Sequence, residues 1–464
     1  MAQAFVSDPG ISPPGRQGWP EHMRATIRLG LPLIGTQLAQ QGLTITDTIM
    51  LGWLGAEPLA AGVLATTLFF IGFILCTGFA HAVMPLAANA EGDNDTRGVR
   101  RSVRMGLWVV MLVVTLTMPV LWHTEALLLA LGQEPALAAL AQDYMRIGQW
   151  ALYPSLGVMV LRSYLSALER TGIVLWATLG GVVLNAVLNW TLIFGNLGAP
   201  ALGIRGAAIA TLGTYCLILA IMLVYCTRVR ALRKYELFVR FFRPDWAAFR
   251  EVMRLGAPIS ASLIAEVGLF GASSIMMGWI GTVPLAAHGI AIQVISALFM
   301  VPLGLMMAGT VRVGRAHGAR DAVALDLAAK AVLLLAVGFA ILSALVLWLL
   351  PETLIGLFID RENPAAAEIL QVGVVLLAVA AVFQIVDTLQ VVSAGLLRGL
   401  KDTRRPMVIA VFSYWGVGLP VAYVLGFPLG LGGVGIWAGL AAGLACAAVL
   451  LTRRFMRRNA LGLV

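Results

Sequence analysis

Long apolar runs recur along the chain, each broken by glycine, proline or a knot of charge. The pattern predicts twelve helices, at about 26–53, 58–88, 99–122, 136–168, 172–194, 204–228, 250–279, 284–310, 321–350, 365–397, 403–426 and 431–453. Each is close to or beyond the roughly 20 residues that cross a bilayer. No segment shows the strict alternation of a strand. Between the third and fourth runs, Glu125 to Leu131 predicts a short amphipathic helix lying on the surface. The fold class that follows is an all-α integral membrane protein.

Composition agrees. Of 464 residues, 60% are hydrophobic and 12% charged, half the charged share of an ordinary globular protein, and the mean hydropathy is +0.90. The net charge of +9 does not imply nucleic acid, because no aromatic-interleaved basic domain accompanies it. Its placement instead sets orientation: 28 of the 32 Lys and Arg fall at one end of successive runs, so that end and both termini are expected on the cytoplasmic side. The richest cluster, Arg228 to Arg254, spans the sixth and seventh runs and reads as a basic joint touching anionic headgroups. Residues 1–25, with Pro13-Pro14, read as a flexible cytoplasmic tail rather than a signal peptide. The expected order is thus tail 1–25, first lobe 26–228, linker 229–249, second lobe 250–455 and tail 456–464. Four cysteines without CxxC spacing, Cys76, Cys216, Cys226 and Cys446, read as free thiols.

The two halves repeat. Leu29-Gly30-Leu31-Pro32 aligns with Leu255-Gly256-Ala257-Pro258, and Ile49-Met50-Leu51-Gly52-Trp53 with Ile275-Met276-Met277-Gly278-Trp279, both at an offset of 226. Pro58-Leu59-Ala60-Ala61 matches Pro284-Leu285-Ala286-Ala287 at the same offset, and Leu202-Gly203 and Gly206 match Leu431-Gly432 and Gly435 at 229. Six spans per repeat is an even number, so both halves enter and leave on one side and are related by an axis along the membrane normal. Two such bundles place a substrate site between them and alternate access by rocking.

Charge inside a span is costly, so each case is a functional candidate. Three carboxylates qualify: Asp47 in the first span, Glu266 in the seventh and Asp387 in the tenth. Glu266 sits roughly 18 Å above Arg254 and Asp387 roughly 16 Å above Arg398, near one depth; Asp47, roughly 28 Å above Arg28, lies nearer the outer face. Polar neighbours continue these faces at helical spacing: Gln37, Gln40 and Thr44 with Asp47; Thr178, Asn185 and Asn189 on the fifth span; Ser262 and Ser273 with Glu266; Gln384 and Gln390 with Asp387. Gln293 on the eighth span joins the second-half set. No Lys or Arg is expected at matching depth, with only Arg146 and Arg162 inside a span. Bare carboxylates in a low-dielectric cavity hold a proton or bind a cation, which makes them coupling sites for H⁺ or Na⁺ against a cationic substrate. Pro32, which removes a helix hydrogen bond below Asp47, is a candidate hinge.

Other signals read as structural. Asp93-Asn94-Asp95 is a solvated turn, and His81, His288 and His317 have no metal spacing. Gly435, Gly439 and Gly443 give small-xxx-small helix packing. No phosphate-binding P-loop is present, so neither ATP hydrolysis nor an enzyme is expected.

Several stretches resemble the multidrug and toxic compound extrusion (MATE) transporters: Asp47-Thr48-Ile49-Met50 with Gly52 and Leu59-Ala60-Ala61, Gly195-Asn196-Leu197-Gly198-Ala199-Pro200, Thr310-Val311-Arg312-Val313-Gly314, and above all Leu397-Arg398-Gly399-Leu400-Lys401-Asp402-Thr403-Arg404-Arg405-Pro406-Met407. The resemblance runs from about residue 24 to 455. It implies two six-helix lobes and ion-driven efflux of organic cations, with no cofactor beyond H⁺ or Na⁺, no ATPase partner, and a monomer in the bacterial cytoplasmic membrane. It further implies that Glu266 and Asp387 match the second-lobe acids of the NorM-type branch, where Na⁺ would bind, and that Asp47, Asn185 and Asn189 match the first-lobe site and Pro32 the bending proline. Phe383 stands one turn before Asp387 where some NorM-type members carry tyrosine, which favours H⁺. Two rival readings remain: a same-fold exporter of a specific metabolite or lipid-linked substrate, which several cavity Arg or Lys would favour if the cargo were anionic, and a membrane-embedded enzyme.

Overall fold

The computed structural model describes residues 18–359 and 365–464. Most of the expected N-terminal tail therefore lies outside the described residues. Among the described residues the chain is helical, without strands. The first half is α1 (Trp19–Leu54), α2 (Ala56–Gly92), α3 (Thr96–Trp122), the short α4 (Thr124–Ala130), α5 (Pro135–Gly148), α6 (Leu152–Ala167), α7 (Thr171–Phe194) and α8 (Ile204–Arg228). After the four-residue α9 (Arg230–Arg233), the second half is α10 (Trp246–Ile280), α11 (Thr282–Gly318), α12 (Ala322–Leu349), short α13 (Pro351–Gly356), α14 (Ala366–Gly399), α15 (Arg404–Val411), α16 (Leu419–Gly426) and α17 (Gly432–Met456). A single turn of 3-10 helix, Gln149–Ala151, joins α5 to α6, and a π-helical stretch, Phe412–Gly418, joins α15 to α16. Each of these composite helices is one membrane-length segment, which gives twelve.

Ten segments are apolar enough for a span by length and composition alone. The other two are long enough but more polar: α1 carries Gln37, Gln40, Gln41, Thr44, Thr46, Asp47 and Thr48, and α5–α6 is interrupted at Gln149. Polarity within a span is itself the mark of an inward-facing surface. On the outside, Trp53 and Trp279, equivalent in the repeat, are 67% and 66% exposed where α1 and α10 end, as interfacial tryptophans are.

The halves build two bundles. One core runs from Leu51 through Leu237 and takes in the first turns of α10; another runs from Ala265 to Ala447. A third, with Leu29, Leu33 and Met84 against Leu305, Met307 and Val311, fills the seam between them. The small residues act as expected: a Cβ on Gly439 would stand 2.2 Å from the Ala422 backbone, and one on Gly443 2.7 Å from Gly418. Repeat symmetry extends to detail. The carbonyl of Pro32 accepts from Thr36 Oγ1 at 2.8 Å, and that of Pro258 from Ser262 Oγ at 2.9 Å, so a hydroxyl takes up the carbonyl four residues back in both helices. α1 stays helical through Pro32.

Two expectations need correction. Helix α1 begins at Trp19, so residues 19–25 are not tail, and His22 there is buried. The linker is packed rather than only laid on headgroups: Tyr235 and Leu237 are buried, Tyr235 Oη donates to Glu91 at 2.7 Å, and Arg104 and Trp108 donate to the carbonyls of Arg240 and Phe241 at 3.0 and 3.2 Å. The short surface helix has a counterpart, α13, in the second half. The Asp93–Asp95 turn caps α3, Asp95 accepting from Gly98 N at 2.9 Å.

Candidate functional site: a cavity between the bundles

Among the described residues the bundles clasp one another toward the face that carries most of the Arg and Lys, hereafter the basic face. There Ser260 Oγ of α10 donates to the Leu75 carbonyl of α2 at 2.7 Å, and Asn89 Nδ2 donates to the Gly399 carbonyl at 2.9 Å. Arg312 of α11 donates to the His22 carbonyl at 2.6 Å, to His22 Nδ1 at 2.7 Å and to Thr26 Oγ1 at 3.1 Å, all on α1. Glycines permit the approach: a Cβ on Gly78, Gly92 or Gly318 would stand 2.0–2.3 Å from backbone of the opposite bundle.

Above this seal the bundles part around a cavity of about 730 Å³, lined by α1, α2, α10, α11 and α14 with contributions from α5–α8 and α15. Its walls reach the exposed Thr48, Val63, Thr67 and Phe70 toward the opposite face. Phe69, Phe70, Phe73 and Phe299 supply apolar surface. That size and mixture suit a drug-sized amphipathic molecule.

The predicted site residues separate into three groups. Asp47 faces the cavity from α1 and accepts from Asn189 Nδ2 at 2.6 Å and Thr211 Oγ1 at 3.2 Å. Asn189 also donates to Asn185 Oδ1 at 3.2 Å, so these residues form one cluster, with Tyr144 and Tyr215 beside them in the wall. Thr44 lines the cavity one turn below Asp47.

Gln40 does not join Asp47. Its Oε1 accepts from Arg162 Nη1 at 2.6 Å, and Gln37 accepts from the same nitrogen at 2.8 Å. Gln40 is the repeat equivalent of Glu266, as Asp47 is of Ser273, so the two carboxylates occupy different registers of the repeat.

On the second bundle Glu266, Ser262, Gln293 and Gln390 line the cavity. Asp387 and Gln384 do not: they lie behind the wall, 3% and 0% exposed. Glu266 and Asp387 are nevertheless electrostatic neighbours. Around them is a set of buried polar atoms without protein partners: both Gln384 amide atoms, Thr388 Oγ1, Gln390 Oε1, Ser413 Oγ and Tyr414 Oη. Buried polar atoms are rarely left so, and the set is suited to hold water or an ion. Tyr414 sits on the π-helical stretch, a device common at functional sites. It puts a phenol beside the acids although Phe383 has none, a role invisible in the linear spacing. Among the described residues no three His, Cys, Asp or Glu side chains converge, so any ion there would take neutral oxygens as well.

The expectation that no cation shares the depth of the acids is overturned. Arg162, expected inside a span but not at the depth of the acids, lines the cavity, and so does Arg398; His81 stands in the same wall. Arg146 is elsewhere, stacked over Trp122 at 4.1 Å.

Two repeated bundles of membrane-spanning helices, clasped at one face around an amphipathic cavity, define a membrane transporter of the alternating-access kind. The family described as MatE matches residues 32–191 and 258–424, and the chain belongs to it. It is 54% identical over 439 residues to a protein of Rhizobium meliloti named "Probable multidrug resistance protein NorM", covering 95% of this chain and 94% of that one. A like-named protein of Agrobacterium fabrum is 47% identical over 456 residues, 98% of each chain. Among solved structures, a mutant of the Vibrio cholerae MATE transporter VcmN superposes with a TM-score of 0.87 at 18% identity, covering 96% of this chain and 99% of that one.

Proposed function

We propose that the protein is a secondary antiporter of the bacterial cytoplasmic membrane that exports amphipathic, often cationic organic compounds in exchange for H⁺ or Na⁺. The observation that carries this reading is the cavity, faced by Asp47 from one bundle and Glu266 from the other and ringed by phenylalanines. The names borne by relatives from Rhizobium and Agrobacterium point the same way. Charge placement supports a cytoplasmic basic face and cytoplasmic termini, and with that orientation the conformation described above is outward-facing.

In this scheme the outward cavity takes up H⁺ or Na⁺ at Asp47 and at the Glu266–Asp387 pair. Loss of their negative charge removes the counter-charge of a bound cation, which leaves. The ion-loaded protein closes outside, opens inside and releases the ion, restoring the acids for the next substrate. One charge moving down 100 mV supplies about 2.3 kcal/mol, enough for a roughly fifty-fold substrate gradient. The orphan oxygens of Gln384 and Thr388 and the Tyr414 hydroxyl support a second-lobe ion site. No ATPase partner enters the scheme, and a monomer contains every group it needs.

The test is transport of a fluorescent organic cation by proteoliposomes, with ΔpH and ΔNa⁺ imposed separately. Transport driven by one gradient and lost in Asp387→Asn is expected. Transport with neither gradient would overturn the reading.

A further inference from the structure

The tie that Arg312 makes across the seal carries a chemical condition. Its Nη2 stands 2.7 Å from His22 Nδ1, while its Nη1 donates to the His22 carbonyl at 2.6 Å and to Thr26 Oγ1 at 3.1 Å. Thr26 Oγ1 donates in turn to the same carbonyl at 2.9 Å. A guanidinium has donors only, so His22 Nδ1 must accept, which fixes the ring as the neutral tautomer with its proton on Nε2. A protonated ring would set N–H against N–H and bring two like charges to hydrogen-bond distance. Neither side chain can simply turn to water, since His22, Thr26 and Arg312 are 4%, 0% and 9% exposed.

The fold itself does not require this tie. At the repeat offset of 226, Ala248 stands for His22 and Leu86 for Arg312, and both border a polar crevice on the other flank of the seal. The remaining charged groups facing His22 are Asp321, where α12 begins, and Glu21 on its own helix. Both are engaged with backbone: Asp321 accepts from Ala324 N at 2.9 Å and Glu21 from Gly18 N at 3.1 Å. Arg315, one turn from Arg312, is paired with Glu169 at 2.7 Å. His22 precedes the first apolar run, outside the spans. Burial and the Arg312 charge hold its imidazole below the ordinary histidine range in spite of the two acids.

We propose that His22 and Arg312 form a proton-operated latch: a proton on His22 Nδ1 breaks the tie and parts the bundles at the basic face. The sign follows from linkage. With the face sealed, His22 binds its proton weakly; with the face parted and Arg312 withdrawn, it returns toward its ordinary value of 6.5. Protonation therefore favours the parted state. The ratio of sealed to parted protein is flat above that value and falls below it by up to about tenfold per pH unit, until the sealed form's own lower value is reached. In the orientation proposed above the pH sensed is that of the cytoplasm, and an acidified cell turns the transporter inward. The latch itself involves neither cargo nor gradient, so its failure and that of the export reading are distinguishable.

Nitroxides at the exposed Ala56 and Thr282, at the outer ends of the two bundles, report the ratio by double electron–electron resonance in detergent. Asp47→Asn with Glu266→Gln forms the background, which takes the cavity-facing acids out of the titration. The long distance is expected at neutral pH, giving way to a shorter one in mild acid by up to about tenfold per pH unit. In His22→Asn, whose Oδ1 accepts from Arg312 but takes no proton, the long distance persists into acid. Histidine labelled with nitrogen-15 in the ring supplies a readout that packing alone does not move: His22 Nδ1 is unprotonated at neutral pH and gains its proton in step with the change in distance. Its signal is assigned by replacing His81, His123, His288 and His317 in turn, so this readout decides even if His22→Asn does not fold. An acid response undiminished in His22→Asn, no acid response in the background protein, or an Nδ1 already protonated at neutral pH would each overturn the latch.

Discussion

The seal at the basic face rests on contacts too close for any side chain, and Gly78→Ala tests how much it holds. An ideal Cβ on Gly78 stands 2.3 Å from Ser260 N, 2.4 Å from its Oγ and 2.6 Å from the Gly256 carbonyl. Ordinary contact begins at 3.4 Å, so α2 and α10 must separate by about 1.1 Å, and the obstacle is mostly backbone that cannot rotate away. Overpacking of this kind costs about 1–3 kcal/mol, and opening the seam also weakens the Ser260–Leu75 hydrogen bond, about 1 kcal/mol more. The cost falls on the conformation sealed at the basic face and not on one in which that face has parted. Together a bias of about 2–4 kcal/mol shifts the ratio of the two about 30- to 900-fold. Nitroxide labels at the exposed Ala56 and Thr282, at the far ends of the two bundles, read that ratio as a distance distribution by double electron–electron resonance. The variant should lose the long distance and gain a shorter one, whereas Gly271→Ala, whose Cβ meets nothing within 4 Å, should leave the wild-type distribution. A folded Gly78→Ala protein with an unchanged distribution would refute the reasoning.

Arg312→Gln removes a charged donor that ties α11 to His22 and Thr26 of α1, and should shift the same distribution in the same direction by about tenfold in population or more. Asp245→Asn breaks the ion pair with Arg101 while keeping a good N-cap for α10. The Arg101 guanidinium, hydrogen-bonded to it, holds the Asp245 carboxyl below its ordinary range. A depressed folded pKa gives stability that is present at neutral pH and lost as the pH falls through the folded value. The variant should therefore melt slightly below wild type at pH 7, by about 1 kcal/mol or less because Arg101 is half exposed, and the two should converge in acid. Gly439→Leu drives a side chain into the Ala422 backbone and should cost about 3 kcal/mol or more, seen as a lowered melting temperature in detergent.

Much of this architecture was legible in residue order. A chain this apolar has one solvent available to it, and glycine, proline and charge mark where each span turns. The repeat offset of 226 links Pro32 with Pro258 and Trp53 with Trp279, and both pairs hold equivalent places in the structure. What escaped was what the side chains reach. Depth counted along a helix put Arg398 at the basic face, yet a long arginine near a helix end extends into the cavity. Helical spacing grouped Gln40 with Asp47 because they share a face, but each found its partner on a different neighbouring helix, Arg162 on α6 and Asn189 on α7. Periodicity likewise could not tell the cavity wall from the layer behind it, where Asp387 and Gln384 lie. Thr211 and Tyr414 gave no charge signal; comparing the halves offers one, since Tyr414 stands 229 residues after Asn185, the offset already seen between Gly206 and Gly435.

The central claim is that substrate and coupling ion compete for the same carboxylates in one cavity. It is tested most directly by adding an organic cation to the purified protein in weakly buffered solution and recording proton release, with release of radioactive sodium measured in parallel. The account predicts that binding expels one of the two ions, and that Asp47→Asn combined with Glu266→Gln abolishes the release. Substrate binding at full affinity with neither ion expelled would contradict it.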